Sequence, residues 1–101
     1  MEITKTQNER TALLSLAGRL DTNTSPRLRE TFLEIFDNSD IIEIDFSGVD
    51  YVSSAGLRVL LMGQKNSNSR GKTMELKNVS QKVIEIFKIT GFTDVFSINK
   101  L

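Results

Sequence analysis

Apolar residues alternate with polar residues in part over residues 11–17 and more regularly over residues 41–46, and a period of two is typical of β-strands with one buried face. Shorter segments of the same kind lie at residues 2–6, 73–77 and 95–98. We predict strands in all of these segments and a hairpin between the first two along the chain. Each long strand is predicted to end at the glycine that follows it. The positions expected on the inward faces of the long strands are Ala12, Leu14, Leu16, Ile42, Ile44 and Phe46.

Two further segments repeat their apolar residues at helical spacing. The first helix is predicted to begin near Pro26, because the capping residues 21–25 precede a proline that suits the first helical position. It is predicted to end at the turn-forming residues 37–40. The second helix is predicted over residues 53–62, and the polar residues 64–72 that follow are predicted to leave the core.

A third helical segment carries the apolar stripe Val79, Val83, Ile86 and Phe87, and Gly91 suits the left-handed conformation that often ends a helix. Strands that are joined through helices require right-handed crossovers and at least partly parallel pairing. We therefore predict a single α/β domain over residues 1–101. It should have a mixed β-sheet of four to five strands, with helices packed mainly on one face.

Charge composition argues against two classes of partner. The 13 basic and 13 acidic side chains cancel, and no run of like charges occurs, so neither nucleic acid nor a membrane surface is an expected partner. The amino-terminal residues lack the apolar stretch of a signal peptide, and no apolar run has the length of a membrane span. We expect a cytoplasmic protein.

The sequence contains no cysteine and no histidine, which removes most familiar catalytic and metal-binding chemistry. Disulfides, thiolate nucleophiles, His-ligated zinc and a Ser-His-Asp triad within the chain are all excluded. Residues 52–56 resemble part of a nucleophile elbow, but Val52 replaces its first glycine and no histidine is present to activate Ser54. We predict a protein that is not an enzyme and holds no metal or cofactor, with an enzyme of another type as an alternative.

Two segments are candidates for the functional site, because open α/β sheets bind their ligands and partners beyond the carboxyl ends of the strands. Residues 18–23 follow the second predicted strand, and residues 50–56 follow the third. Asp21 in the first segment has two possible roles. It caps or shapes the turn before the first helix, or it lies beside the serines of the second segment and helps to place the magnesium or lysine of a kinase.

Ser53 and Ser54 stand at the predicted start of the second helix and allow two interpretations. One of them is a phosphoacceptor, where a new charge of roughly −1.5 to −2 would disrupt a docking surface. Alternatively, a serine here is simply the helix cap, worth about 1 kcal/mol. The role of Gly56 also allows two interpretations, because a glycine here indicates either close approach of a partner to the backbone or close packing of the helix on the sheet.

Three segments together resemble one known family. Residues 18–21, residues 44–61 and residues 83–92 resemble, in order and spacing, the STAS domains of bacterial anti-sigma factor antagonists. The resemblance covers nearly the whole chain and implies a single STAS domain. It also implies a protein that binds an ATP-dependent anti-sigma factor serine kinase and so frees a sigma factor. Phosphorylation by the kinase breaks the complex, and a serine phosphatase restores it.

The resemblance places the phosphoacceptor on Ser54, with Ser53 as the less favoured candidate. Many members of the family carry aspartate in place of Ser53 and glycine in place of Arg58. The main rival function is a STAS subunit that docks an ABC-type ATPase of a transport complex without phosphorylation. The residues expected to contact the partner are Asp21, Thr22, Asn23, Ser53, Ser54, Ala55, Gly56, Leu57 and Arg58.

Overall fold

The computed structural model describes residues 1–100, which form one five-stranded sheet and three α-helices. The strands lie in the order in which they occur along the chain; the first pair is antiparallel and the others are parallel. The predicted α/β class and mixed sheet are therefore confirmed. The elements are β1 Glu2–Asn8, β2 Thr11–Leu20, α1 Ser25–Ile35, β3 Ile41–Val52, α2 Ser54–Ser69, β4 Thr73–Val79, α3 Gln81–Thr90 and β5 Ser97–Lys100, with a 3-10 turn at Phe36–Asn38.

The helices cover one face of the sheet. Leu14, Ile44 and Leu76 lie side by side on neighbouring strands, and all three are fully buried. The next residues along the two central strands, Asp45 and Lys77, point to the opposite face and remain partly exposed. This one-sided burial is what the alternating pattern predicted. The helical side chains that complete the core include Leu28, Phe32, Leu60, Val83, Ile84 and Phe87.

Both long strands continue past the glycines at which we predicted that they would end. β2 runs through Gly18, which adopts a φ of 112°, and β3 runs through Gly48 to Val52. The prediction was wrong because two β-bulges keep the strands paired. At each bulge β3 contains one residue more than the paired segment of β2, first after Asp45 and again after Val49. The paired strands therefore extend up to the candidate site.

The second helix is also longer than predicted. α2 continues to Ser69, so the prediction of a polar tail outside the core was wrong. Gly63 explains the tight packing there, because a Cβ atom at this residue would lie 2.8 Å from the Phe32 ring. Ser67 is fully buried and donates a hydrogen bond of 2.9 Å to the carbonyl oxygen of Gly63, so its polar side chain is compatible with the core.

The last part of the chain differs from the prediction by a few residues. Val79 ends β4, and α3 begins at Gln81 with Ser80 as its cap. Ile84 packs in the core, whereas Ile86, a member of the predicted apolar stripe, is partly exposed. The last strand begins two residues later than predicted, at Ser97. No helix within residues 1–100 is long and apolar enough to cross a bilayer.

Candidate functional site

The two candidate segments meet where β2 and β3 end side by side. Leu20 and Val52 pair in the sheet, and each lies within one of the predicted site segments. The backbone N–H of Ser53 donates a hydrogen bond of 2.8 Å to the carbonyl oxygen of Leu20. The turn that contains Asp21 and the start of α2 are therefore held next to each other by main-chain contacts.

Ser53 is the cap of α2. Its backbone is extended, and its hydroxyl oxygen accepts a hydrogen bond of 3.2 Å from the backbone N–H of Gly56. Its carbonyl oxygen accepts the first helical bond, from Leu57 N–H at 2.9 Å. The capping role that the sequence left open between the two serines thus belongs to Ser53.

Ser54 is the first residue of α2 and differs from its neighbour in both exposure and bonding. Its side chain is exposed, whereas that of Ser53 is partly buried. Within residues 1–100, the Ser54 hydroxyl makes no hydrogen bond to another side chain or to the backbone. This hydroxyl is therefore free to contact a partner protein.

Gly56 lies in the first turn of α2, where the helix touches the end of β2. A Cβ atom on Gly56 would lie 2.7 Å from the carbonyl oxygen of Leu20 and 3.1 Å from a methyl group of Val52. Side chains do not approach a backbone oxygen so closely, so glycine is required by the packing of the helix on the sheet. This contact accounts for Gly56 within the domain itself.

Asp21 shapes the turn between β2 and α1. Its carboxylate accepts hydrogen bonds from the backbone N–H of Asn23 at 3.0 Å and of Thr24 at 3.1 Å. Burial raises the pKa of the Asp21 carboxyl. The hydrogen bonds to this carboxylate and the charge of Arg19 together lower the pKa by more than burial raises it, so the pKa lies below its ordinary value. The turn-forming role is the one that the geometry supports. Thr22 and Asn23 are exposed beside it.

Arg19 and Tyr51 form a contact beside the site that the residue pattern did not predict. They are paired across β2 and β3, and the Arg19 guanidinium lies 4.2 Å from the centre of the Tyr51 ring. The Arg19 Nε also lies 3.9 Å from a carboxylate oxygen of Asp21. No local residue pattern indicates this contact, because the bulges in β3 decide which residues face each other.

A shallow groove of about 280 Å³ opens next to Ser54, between the first turn of α2 and the second half of α3. We call it the acceptor groove. Among the residues that the structure describes, none that lines this groove carries a charge. Ile89 and Ile86 at this position were not recognised as site residues, although their spacing of three on an amphipathic helix is a usable signal. The lining residues are Tyr51, Val52, Ser53, Ser54, Leu57, Ile86, Ile89 and Thr90.

The remaining predicted contact residues occupy different environments on α2. Leu57 is 4% exposed and belongs to the core as well as to the acceptor groove, and Ala55 is partly exposed. Arg58 is exposed, forms no ion pair among residues 1–100, and lines a second groove farther along the helix together with Lys65. In the described part of the chain, no three acidic residues come together as a metal site.

Comparison with known proteins agrees with this architecture. The family model described as "Mlab, STAS domain" matches residues 3–99. An anti-sigma-B factor antagonist from Bacillus subtilis (strain 168) is 31% identical over 93 residues, which are 92% of this chain and 85% of the relative. The name of this relative is that of a regulatory protein and not of an enzyme, in agreement with the prediction of a non-enzymatic domain.

Solved structures share the fold at lower sequence identity. An anti-sigma factor antagonist from Mycobacterium paratuberculosis superposes with a TM-score of 0.86 at 18% identity, over 99% of this chain and 86% of the other. The unphosphorylated form of the anti-sigma factor antagonist SpoIIAA gives a TM-score of 0.78 at 16% identity, over 99% and 89% of the two chains. The match of the family model over nearly the whole sequence assigns this chain to the STAS domain family.

Proposed function

We propose that this protein is an anti-sigma factor antagonist, which binds an anti-sigma factor serine kinase, thereby frees a sigma factor, and is switched off when the kinase phosphorylates Ser54. The curated relatives from Bacillus subtilis and Listeria monocytogenes carry the name anti-sigma-B factor antagonist, which supports the antagonist role. Sigma factors act in the cytoplasm, so the proposal includes a cytoplasmic location. The partner and the phosphorylation are inferences about this chain.

The choice of Ser54 as acceptor depends on the difference between the two serines. The Ser53 hydroxyl is occupied by its hydrogen bond from Gly56, and its side chain is partly buried. The Ser54 side chain is exposed at the first position of the helix. An exposed hydroxyl on a rigid element is what a kinase can reach without unfolding the cap. This difference in exposure and bonding is the observation that carries the proposal.

Phosphoryl transfer to Ser54 requires a base and magnesium that the kinase supplies. The Ser54 oxygen attacks the γ-phosphorus of ATP, the bond to the bridging oxygen breaks, ADP leaves, and the hydroxyl proton passes to a base on the kinase. The product carries roughly −1.5 to −2 charges at the docking surface, which opposes renewed binding. A serine phosphatase that hydrolyses this phosphoester restores the binding form.

The direct test uses the full chain and the candidate anti-sigma kinase from the same genome. We would incubate both with ATP and magnesium and locate the added phosphate by mass spectrometry. We expect one phosphate on Ser54, its loss in Ser54→Ala, and its retention in Ser53→Ala. Phosphate on Ser53 alone would reassign the acceptor. Binding without transfer would favour the rival function, a subunit that docks an ABC-type ATPase.

A further inference from the structure

Ile89 stands out among the apolar side chains of the domain. It is 84% exposed, more than any other large apolar side chain within residues 1–100, and it lies near the end of α3. A single exposed apolar residue needs no explanation by itself. Ile89, however, lines the acceptor groove together with Ser54, and Ile86 and Leu57 continue its apolar surface.

The lining of the groove indicates what kind of surface covers it. None of the lining residues within residues 1–100 carries a charge, and the lining includes the apolar side chains of Leu57 from α2 and of Ile86 and Ile89 from α3. A partner that binds here must present apolar atoms, because a charged group would lose its hydration without gaining an opposite charge. The groove therefore fits an uncharged apolar side chain better than an acidic or basic one.

The position of Ser54 in the same groove indicates which partner binds. A kinase that brings the γ-phosphate of ATP to the Ser54 oxygen must cover the surface around this oxygen. The acceptor groove is part of that surface, since Ser54 lines it. The docking surface that we predicted from the sequence stopped at α2, whereas the groove extends it to α3.

We propose that the acceptor groove binds an apolar side chain of the anti-sigma factor serine kinase and that Ile89 contributes a main part of this contact. The inference depends on the proposed function and adds a specificity residue to it. It also supplies a physical reason for the release of the partner. A phosphate on Ser54 places roughly −1.5 to −2 charges and their bound water at the edge of the groove, so an apolar side chain of the kinase could enter it only by displacing that water.

The test measures binding of the full unphosphorylated chain to the kinase by calorimetry, with ADP present. Wild type is compared with Ile89→Ser, with Ile89→Met as the conservative variant, and with Leu33→Ser as the matched control. Leu33 is 59% exposed and lies on α1, outside the lining of the groove. Circular dichroism and thermal melting are used to verify that all the variants are folded. We expect them to fold because the side chains of Ile89 and Leu33 are exposed.

We expect Ile89→Ser to raise Kd about tenfold or more, while Leu33→Ser stays near wild type and Ile89→Met keeps most of the affinity. If wild type binds and Ile89→Ser binds equally well, the role of Ile89 is refuted while the proposed function stands. If wild type binds no kinase, both are refuted. A wild-type dimer in sedimentation that Ile89→Ser abolishes would assign the groove to a second copy instead and overturn the proposal.

Discussion

The carbonyl oxygen of Leu20 lies 2.7 Å from the point that a Cβ atom of Gly56 would occupy. The same oxygen accepts the backbone hydrogen bond of Ser53 at 2.8 Å. One atom at the end of β2 thus fixes both the cap and the first turn of α2. The position of the candidate acceptor, Ser54, depends on this contact because it lies between the two residues that Leu20 holds.

Replacing Gly56 by alanine should destabilise the domain, although alanine is the better helix former. The new methyl group would collide with the Leu20 backbone, and such overpacking costs about 1–3 kcal/mol. Urea unfolding of Gly56→Ala measures the loss. Lys65→Ala, at an exposed position of the same helix, should stay within about 0.5 kcal/mol of wild type. Equal stability of Gly56→Ala and wild type would show that the helix moves away without penalty.

Replacing each of the two serines by alanine should change the stability of the isolated protein by different amounts. Ser53→Ala removes the hydrogen bond to Gly56 N–H and should lower the free energy of unfolding by about 1 kcal/mol. Ser54→Ala removes an exposed hydroxyl and should change it by less than about 0.5 kcal/mol. Urea titrations of both variants measure this difference. A larger loss in Ser54→Ala would contradict the assignment of the cap.

Acid should weaken the contact between β3 and the end of β4. Hydrogen bonds from the Ser47 backbone at 2.9 Å and from the Asn78 side chain at 3.1 Å lower the pKa of Asp45 and outweigh the effect of burial, which raises it. The stabilisation is therefore present above the unfolded-state pKa of about 4 and is lost as the pH falls through the lower folded-state pKa.

Two measurements test this. Carboxyl NMR should give an Asp45 pKa below the ordinary range, and Asp45→Asn should unfold with a smaller dependence on pH between neutral and strongly acidic solution. The prediction fails if the unfolding free energies of wild type and Asp45→Asn show the same dependence on pH over that whole range.

Phosphoserine at position 54 should pair with Arg58, which lies one turn farther along the exposed surface of α2. Residues four apart on a helix are neighbours, and a nearby cation favours the doubly charged phosphate. We expect the second phosphate pKa to be lower in wild type than in Arg58→Gln by about 0.1–0.4 pH unit. A ³¹P NMR titration of protein made with phosphoserine at position 54 measures it, with Lys65→Gln as control. Identical curves for wild type and Arg58→Gln would exclude the pair.

Regular alternation and capping residues were sufficient to predict most of the fold. Ile42, Ile44 and Phe46 were correctly placed in the core, because a period of two is visible wherever one face of a strand is buried. The buried part of α2 was missed, since Gln64 and Ser67 are polar residues. Their burial depends on tertiary packing around Gly63 and Phe32, which no local pattern reports.

The candidate site was predictable only in its main-chain framework. The serines and Gly56 were found because strand, turn and helix follow each other closely in the sequence. The proximity of Ile89 to Ser54 was not predicted, because the two residues belong to different helices and line one groove only once both helices pack on the sheet. Resemblance to a family indicated Ser54 as the proposed acceptor but could not indicate the apolar groove next to it.

The bulges of β3 also constrain how this segment can change in length. Buried positions advance by two residues from Ile44 to Phe46, then by three to Val49, and by three again to Val52. Deleting one residue within either bulge would restore a spacing of two and keep Val52 on the buried side, because each bulge holds one residue more in β3 than in the paired segment of β2. Deleting one residue from the regular segment 42–46 would instead turn the rest of the strand over and expose Val52. Natural variants of this segment should therefore lose single residues at the bulges and not before them, and an engineered deletion within residues 42–46 should move the serines away from the Leu20 carbonyl.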